Sequence, residues 1–303
     1  MVFSVKAAEE KRKRLSEKLR QSRCLRFVGA FSPLVSTLIE EKGFDGIYVS
    51  GAVVSGDLGW PDVGFTTLNE VANRAETLTR FSNLPSLVDG DTGFGSALNC
   101  ARMVAEMEKR GLSGVHIEDQ GYPKRCGHLE GKKLVSIEEM VCRIQSAVKA
   151  RQDSHFLIIA RTDARGTEGM EEAVERARAY GEAGADVIFP EALHTVQEFE
   201  EFRRRINIPL LANMTEFGKT DLIPHKVFEK IGYNIVIYPV SAFRLALQAV
   251  EEGLDMLFQD KQEQLISKMQ TRERLYGLLK YKNYEDFDKS VFNFSLKGNQ
   301  KNK

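Results

Sequence analysis

The chain has 303 residues, and its 43 basic and 43 acidic side chains give a formal net charge of zero. This balance argues against a nucleic acid or a membrane as partner, because both favour a basic excess. No apolar run reaches the roughly 18 residues that a membrane span requires. The four cysteines lack the CxxC spacing of a zinc site and suggest no disulfide framework. We therefore expect a protein of the reducing cytoplasm.

The alternation of apolar and amphipathic segments predicts the fold. Residues 1–20 are charged, helical in type and without the apolar core of a signal peptide. Fully apolar strands between helices then indicate a parallel sheet covered on both faces. Eight such units over about 230 residues favour a (β/α)8 TIM-type barrel, with an open doubly wound sheet as the alternative. The predicted strands are Leu25–Ala30, Gly46–Val49, Ser86–Val88, Gly114–Ile117, Phe156–Ala160, Asp186–Phe189, Pro209–Ala212 and Asn234–Tyr238.

Helical spacing is clearest in four of the intervening segments, and glycines at 111 and 184 mark helix ends. We predict one barrel domain over residues 1–303, with a helical extension at 1–20 and a helical tail at 254–303. Cys24, Cys100 and Cys142 are interpreted as packing residues. The predicted helices are Leu98–Arg110, Ile137–Arg151, Gly169–Ala183 and Val240–Glu251.

Acidic side chains follow several predicted strands, at the end of a barrel where active sites lie. Asp89 and Asp91 follow the third strand, and Glu118 follows the fourth. Carboxylates around one opening repel one another unless a cation compensates, and hard oxygen ligands suit Mg²⁺ or Mn²⁺ rather than zinc. We predict Asp89 as the direct metal ligand, with Asp91 and Glu118 acting through bound water. The alternative is that Asp89 and Asp91 only cap a turn.

Two arginines near the predicted acidic cluster are candidate substrate anchors. Arg161 follows the fifth strand and Arg244 the eighth. A guanidinium binds a carboxylate through two hydrogen bonds, so two arginines and a metal indicate a di- or tricarboxylate substrate. Either arginine could instead only neutralise the acidic rim, an alternative that the neighbouring Asp163 supports for Arg161. His116 lies within a strand and is predicted to be a hydrogen-bonded core residue.

One cysteine stands between cations and an imidazole, in the loop after the fourth strand. Cys126 follows Lys124 and Arg125 and precedes Gly127 and His128. Neighbouring cations favour the thiolate, and such cysteines are usually reactive. The alternative is an exposed basic loop that happens to contain a cysteine.

Motifs throughout the chain resemble the isocitrate lyase/phosphoenolpyruvate mutase superfamily, and most closely its 2-methylisocitrate lyases. The most specific is KRCGH at 124–128, because it marks the lyase branch of the superfamily. The other matching segments are YVSG at 48–51, GWPDVG at 59–64, VDGDTGFG at 88–95, HIEDQ at 116–120, ARTDA at 160–164, FPE at 189–191, ANMTEFG at 212–218, YPVSAFR at 238–244 and MQTR at 269–272.

The resemblance implies a Mg²⁺-dependent carbon–carbon lyase that forms a homotetramer. The expected reaction is cleavage of (2S,3R)-2-methylisocitrate, a tricarboxylate, to pyruvate and succinate in the 2-methylcitrate cycle of propionate breakdown. A chain of 303 residues favours this substrate, because isocitrate lyases generally carry an insertion. The alternatives are an isocitrate lyase that releases glyoxylate, another superfamily activity such as oxaloacetate decarboxylation, and a non-catalytic barrel that serves as a binding subunit.

The resemblance also implies roles for individual residues. Cys126 would be the general acid, with Lys124, Arg125 and His128 tuning its pKa, and Tyr48 is a candidate base. The expected substrate-binding residues are Ser50, Gly51, Ala52, Asp62, Cys126, Gly127, Arg161, Glu191, Asn213, Thr215, Arg244 and Arg272.

Overall fold

A computed structural model describes residues 5–21, 23–125, 127 and 131–292 of the chain. Its eight strands all pair in parallel, and their ends differ from the predicted ends by at most two residues. Every residue of the second to sixth strands is buried, as their apolar composition requires. The strands are β1 (Leu25–Gly29), β2 (Gly46–Val49), β3 (Ser86–Asp89), β4 (Gly114–Glu118), β5 (Leu157–Thr162), β6 (Val187–Pro190), β7 (Leu211–Asn213) and β8 (Ile235–Tyr238).

The sheet closes on itself. Its strand order is β6-β5-β4-β3-β2-β1-β8-β7. A parallel bridge between Ile188 and Leu210 joins the two outer strands, and the backbone N–H of Ile188 donates to the carbonyl of Pro209 at 2.9 Å. The predicted barrel is therefore confirmed, and the open sheet is wrong.

Helices surround the barrel and close its N-terminal end. The first helix buries Leu15 completely among residues that fill the barrel interior, such as Leu87 and Ile159. The guanidinium of Arg12 donates to the carbonyl of Leu112 at 2.8 Å, which fixes this helix across the N-terminal opening. The helices are α1 (Ala8–Leu19), α2 (Pro33–Glu41), α3 (Gly51–Asp57), α4 (Leu68–Thr79), α5 (Ala97–Lys109), α6 (Ile137–Ala150), α7 (Met170–Glu182), α8 (Val196–Arg205), α9 (His225–Ile231) and α10 (Ser241–Phe258).

The chain divides into two compact units. One is Lys6–Gln248, which contains the barrel, and the other is a helical unit whose described residues are Val5 and those from Ala249 onward. The helical unit includes α11 (Gln262–Leu265), α12 (Arg272–Leu278) and α13 (Tyr281–Phe292). Its surface carries large apolar side chains, among them Phe258 at 91% and Phe292 at 81% exposure. None of the helices in the described ranges is long and apolar enough to cross a membrane.

The cysteines in the described part of the chain differ in exposure. Cys24 and Cys100 are buried, as expected of packing residues. Cys142 is exposed on α6, so its prediction as a packing residue is wrong. The buried positions of α6 are 140, 143, 144 and 147, and residue 142 lies on the opposite face of that helix.

Candidate active site

The carboxyl ends of the strands surround a cavity of about 510 Å³. Most residues predicted to bind substrate or to act in catalysis line this one cavity. They come from loops far apart in sequence, which the parallel barrel brings to the same end. The predicted residues in its lining are Tyr48, Ser50, Ala52, Asp62, Asp89, Lys124, Arg125, Gly127, Arg161, Glu191, Asn213, Thr215 and Arg244.

Six predicted site residues are not in this lining, and the structure supports a place at the cavity for only three of them. Gly51, Asp91 and Glu118 contact lining residues directly. Cys126 and His128 lie outside the described residues, so their roles stay predictions. Arg272 is the first residue of α12 in the helical unit, and its predicted contact with substrate also stays a prediction.

Asp89 lies at the centre of the cavity floor and is held by backbone donors. Its carboxylate accepts from the N–H of Gly51 at 3.1 Å and from the N–H of Asp91 at 3.0 Å. The turn-capping contact considered from the sequence is therefore present. Burial alone would raise the pKa of Asp89, but His116, Lys124 and Arg161 lower it to about 2. A carboxylate has about four lone-pair positions, so these contacts leave it able to bind a cation.

Asp91 and Glu118 are also buried, and nearby cations offset the cost of burying their charges less than they do for Asp89. Burial, with the negative charge of Asp89 as a further cause, raises the pKa of Asp91 to about 6, although Lys124 lies 2.7 Å from its Oδ1. Burial also raises the pKa of Glu118 well above its usual value. Glu118 Oε2 is 3.4 Å from Arg161 Nε, but Oε1 is buried and has no hydrogen-bond partner within the described structure.

This acidic cluster fits a hard divalent cation that is only partly ligated by protein. In the ranges that the structure describes, no three His, Cys, Asp or Glu side chains converge closely enough to hold a metal by themselves. Mg²⁺ commonly uses one or two carboxylates and keeps several waters. Glu118 Oε1, buried and unpartnered, is the kind of acceptor that a metal-bound water would satisfy.

Arg161 joins the cluster to the rest of the cavity. Its Nε and Nη2 donate to the two oxygens of Asp163 at 2.9 and 3.1 Å. Its Nη1 lies 3.3 Å from Glu191 Oε2. Arg161 therefore neutralises several acids, which was the alternative role, and it also lines the cavity where a substrate carboxylate would lie.

Tyr48 and His116 share a hydrogen bond beneath the acids. Tyr48 Oη is 2.7 Å from His116 Nε2, and both residues are buried. Burial raises the pKa of Tyr48 well above its usual value and lowers that of His116 to about 4, so both rings are neutral at neutral pH. His116 is thus the hydrogen-bonded core residue that was predicted. Tyr48 would need His116 to accept its proton before it could act as a base.

A further part of the cavity lining combines an amide, an arginine and an acid, Glu216, that was not predicted from the sequence. Asn213 Nδ2 donates to Glu191 Oε2 at 3.2 Å, while its Oδ1 is buried without a partner in the described structure. Arg244 Nη1 donates to the carbonyl of Glu216 at 2.6 Å and lies 3.4 Å from its Oε2. Glu216 directly follows Thr215 within the matching segment ANMTEFG at 212–218, and that position was the signal that could have indicated it.

Apolar side chains complete the lining, and the sequence had given them no functional role. Phe189 is the penultimate residue of the buried strand β6, and the guanidinium carbon of Arg161 lies 5.2 Å from the centre of its ring. Phe217, Phe243 and Leu247 lie in the wall near Arg244. Large apolar residues at strand ends are usually read as core, so their sequence pattern alone does not distinguish packing from substrate contact.

The phosphoenolpyruvate phosphomutase family profile matches residues 15–258, so the chain belongs to this family of barrel proteins. Within it, the chain is similar to 2-methylisocitrate lyases. It is 53% identical over 293 residues to the probable 2-methylisocitrate lyase 2 of Corynebacterium glutamicum, covering 96% of this chain and 95% of that protein. It is 50% identical over 264 residues to the 2-methylisocitrate lyase of Aeropyrum pernix, covering 87% of this chain and 85% of that protein.

A solved structure supports the same relationship. The chain matches the crystal structure of 2,3-dimethylmalate lyase, a member of the PEP mutase/isocitrate lyase superfamily, with a TM-score of 0.87 and 32% identity. The match covers 97% of this chain and 99% of that chain. The resemblance inferred from the motifs is thereby confirmed.

Proposed function

We propose that this protein is a carbon–carbon lyase that cleaves (2S,3R)-2-methylisocitrate to pyruvate and succinate, a step of propionate breakdown by the 2-methylcitrate cycle. The observation that carries the proposal is the composition of the cavity. Buried Asp89 of β3 lies in the lining, Glu118 of β4 pairs with Arg161, and the lining includes Gly127, the residue after Cys126. Its relatives by sequence bear the name of this activity. Because the substrate is a metabolic intermediate, we infer a cytoplasmic location.

Mg²⁺ is the proposed cofactor, with Mn²⁺ as the other candidate. Asp89 would hold the ion directly, and Asp91 and Glu118 would hold its water ligands. The chemistry that such an ion supplies is Lewis-acid polarisation of a substrate hydroxyl and carboxylate. The closely packed acids and the unpartnered Glu118 Oε1 support this assignment.

The protein's side chains would orient the substrate and exclude water. Arg161 would bind the carboxylate of the half that becomes pyruvate, beside the backbone of Ser50 and Gly51. Arg244, Asn213 and Thr215 also line the cavity, and they would bind the half that becomes succinate. Donors fixed before the reaction stabilise developing charge at little reorganisation cost.

Bond cleavage requires one proton to leave the substrate and one to be delivered. Tyr48, hydrogen-bonded to His116, is the proposed acceptor of the hydroxyl proton. The electron pair of the broken C–C bond passes to the carbon of the succinate half, as an enediolate. Cys126 would protonate that carbon, with Lys124, Arg125 and His128 setting its pKa.

A paired assay tests the function. Purified protein with Mg²⁺ is offered 2-methylisocitrate or isocitrate, and pyruvate, glyoxylate and succinate are quantified. We expect pyruvate and succinate from 2-methylisocitrate, abolished by a chelator and restored by Mg²⁺. Glyoxylate as the dominant product would instead identify an isocitrate lyase. Folded, metal-loaded protein that forms neither keto acid would contradict lyase activity on both substrates.

We also infer that the protein is a homotetramer in which the C-terminal helices contact a second copy. The helical unit exposes Phe258, Ile266 and Phe292 at 91, 73 and 81%. Apolar surface on this scale usually marks an interface. Phe258→Glu should lower the mass measured by light scattering, whereas Lys226→Glu, at an exposed lysine of α9 in the barrel unit, should leave that mass unchanged. A wild-type protein that is monomeric at micromolar concentration would contradict this inference.

A further inference from the structure

Lys132 is a buried lysine with two partners on different loops. Its side chain is only 3% exposed. Its Nζ donates to the carbonyl of Gly127 and to Asp163 Oδ1, the latter at 2.8 Å. An ammonium has three protons and can hold both acceptors at once. One side chain therefore ties the segment between β4 and α6 to the residue that follows β5.

Asp163 connects this lysine to the candidate substrate arginine. Its side chain is fully buried, and both of its oxygens accept from Arg161. The backbone N–H of Asp163 donates to Asp119 Oδ1 at 2.9 Å, so the backbone of Asp163 is held in place as well. Lys132, Asp163 and Arg161 thus form a continuous buried chain that ends in the cavity.

Gly127 packs against the same arginine. A Cβ atom at residue 127 would lie 2.3 Å from Arg161 Nη2 and 2.6 Å from Glu191 Cγ, so the backbone rests directly on these two side chains. The carbonyl that Lys132 binds belongs to this glycine. Lys132 therefore fixes the position of the Arg161 guanidinium relative to the backbone of Gly127, the residue next to Cys126.

We propose that Lys132 is a positioning residue for carbon–carbon bond cleavage, an inference that rests on the proposed function. Lys132 is not among the described residues that line the cavity. It acts by fixing Gly127 against Arg161 and by holding the Asp163 carboxylate that orients Arg161. The competing role is purely structural, in which Lys132 only neutralises a buried acid.

Kinetics of Lys132→Met distinguish these roles, with Lys133→Met as the matched control. Lys133 is the adjacent lysine, is exposed, and loses the same charge on substitution. Misplacement of reacting groups by about 1 Å can cost on the order of 10²-fold, so we expect a fall of about that size in kcat/KM, carried mainly by kcat. Lys132→Arg should recover part of the loss, because it keeps a buried cation beside Asp163.

Thiol alkylation gives a readout that needs no substrate. Iodoacetamide labelling is followed by mass spectrometry at Cys126, with exposed Cys142 and buried Cys24 and Cys100 as internal references. We expect Lys132→Met to change the labelling rate of Cys126 several-fold and to leave the three references unchanged. Equal changes at the buried references would indicate general loosening and would overturn the proposal.

The two proposals fail in different ways. If wild-type protein does not cleave 2-methylisocitrate, the proposed function fails, while the labelling experiment still reports whether Lys132 positions the Cys126 segment. If Lys132→Met matches Lys133→Met in both kinetics and labelling, the positioning role is wrong. Should Lys132→Met not fold, Lys132→Gln is measured in its place, and failure of both to fold would assign Lys132 a structural role.

Discussion

Two buried carboxylates at opposite ends of the barrel differ in how far the fold compensates their burial. At the N-terminal end, Asp45 is 3% exposed and accepts from Lys18 Nζ at 2.8 Å and from the N–H of Arg26 at 3.1 Å. At the C-terminal end, Glu118 is 1% exposed, and its Oε1 has no hydrogen-bond partner among the described residues. Protein donors therefore satisfy the carboxylate of Asp45, whereas one oxygen of Glu118 accepts from no described residue.

The pKa values of Asp45 and Asp91 differ in the same sense. Burial alone would raise the pKa of Asp45, but its hydrogen bonds and the charges of Lys18 and Arg23 bring it below its usual value. Burial raises the pKa of Asp91 to about 6, since the attraction of Lys124 does not overcome desolvation and the repulsion of Asp89. A satisfied acid stabilises the fold, and an under-compensated group is typical of a functional site.

The largest effect on turnover is expected at the C-terminal end, from Cys126→Ser. Loss of a general acid costs about 10²–10⁴-fold in rate, and we expect kcat to fall within that range while substrate affinity is retained. Steady-state kinetics and equilibrium binding of 2-methylisocitrate measure the two quantities separately. Cys142→Ser, at an exposed thiol on α6, is the control and should behave as wild type. Wild-type kcat in the Cys126 variant would rule out this residue as the acid.

The fold and the cavity floor could be predicted because local rules determine them. Apolar runs of strand length alternate with helical periods, and a parallel barrel must bring the carboxyl ends of its strands together. Asp89 and Glu118 are the last residues of β3 and β4, so their position followed once the strands were assigned. The spacing of apolar and polar residues along the chain was therefore sufficient to infer both the barrel and the place of these two acids.

Contacts between loops could not be predicted in the same way. Lys132 and Lys133 are adjacent in a polar segment, yet only Lys132 is buried against Asp163, 31 residues further along the chain. Arg244 pairs with Glu216, which was not among the predicted site residues. Sequence periodicity indicates which face of a helix or strand is buried, but an irregular loop has no period from which a direction could be read.

Glu118→Gln tests whether the C-terminal end trades stability for function. Removing a buried charge with an unpartnered oxygen should raise the free energy of unfolding of the metal-free protein by about 1 kcal/mol. Activity should fall about 10–100-fold, as is typical when a group supporting a metal is lost. Urea unfolding in chelator and Mg²⁺ titration of activity measure the two effects.

The control for that variant is Glu175→Gln, at an exposed position of α7. It should change neither stability nor activity appreciably. A less stable Glu118→Gln protein would mean that the ion pair with Arg161 outweighs the cost of burying the acid, and the contrast between the two ends would then fail.

Asp45→Asn should give the reverse result, with the smallest effect on turnover. Losing charge-assisted hydrogen bonds at a buried site should lower the free energy of unfolding by about 2 kcal/mol at pH 7, with kcat/KM unchanged.

The pKa of Asp45 is lower in the folded state, so its stabilisation is complete above the usual value of 3.8 and is lost as pH falls through the folded pKa. The difference in stability between wild type and variant should therefore shrink in acid. Urea unfolding at pH 7 and near pH 3 measures this, with Asp221→Asn as the exposed control. A difference that persisted unchanged in acid would show that Asp45 acts through packing rather than charge.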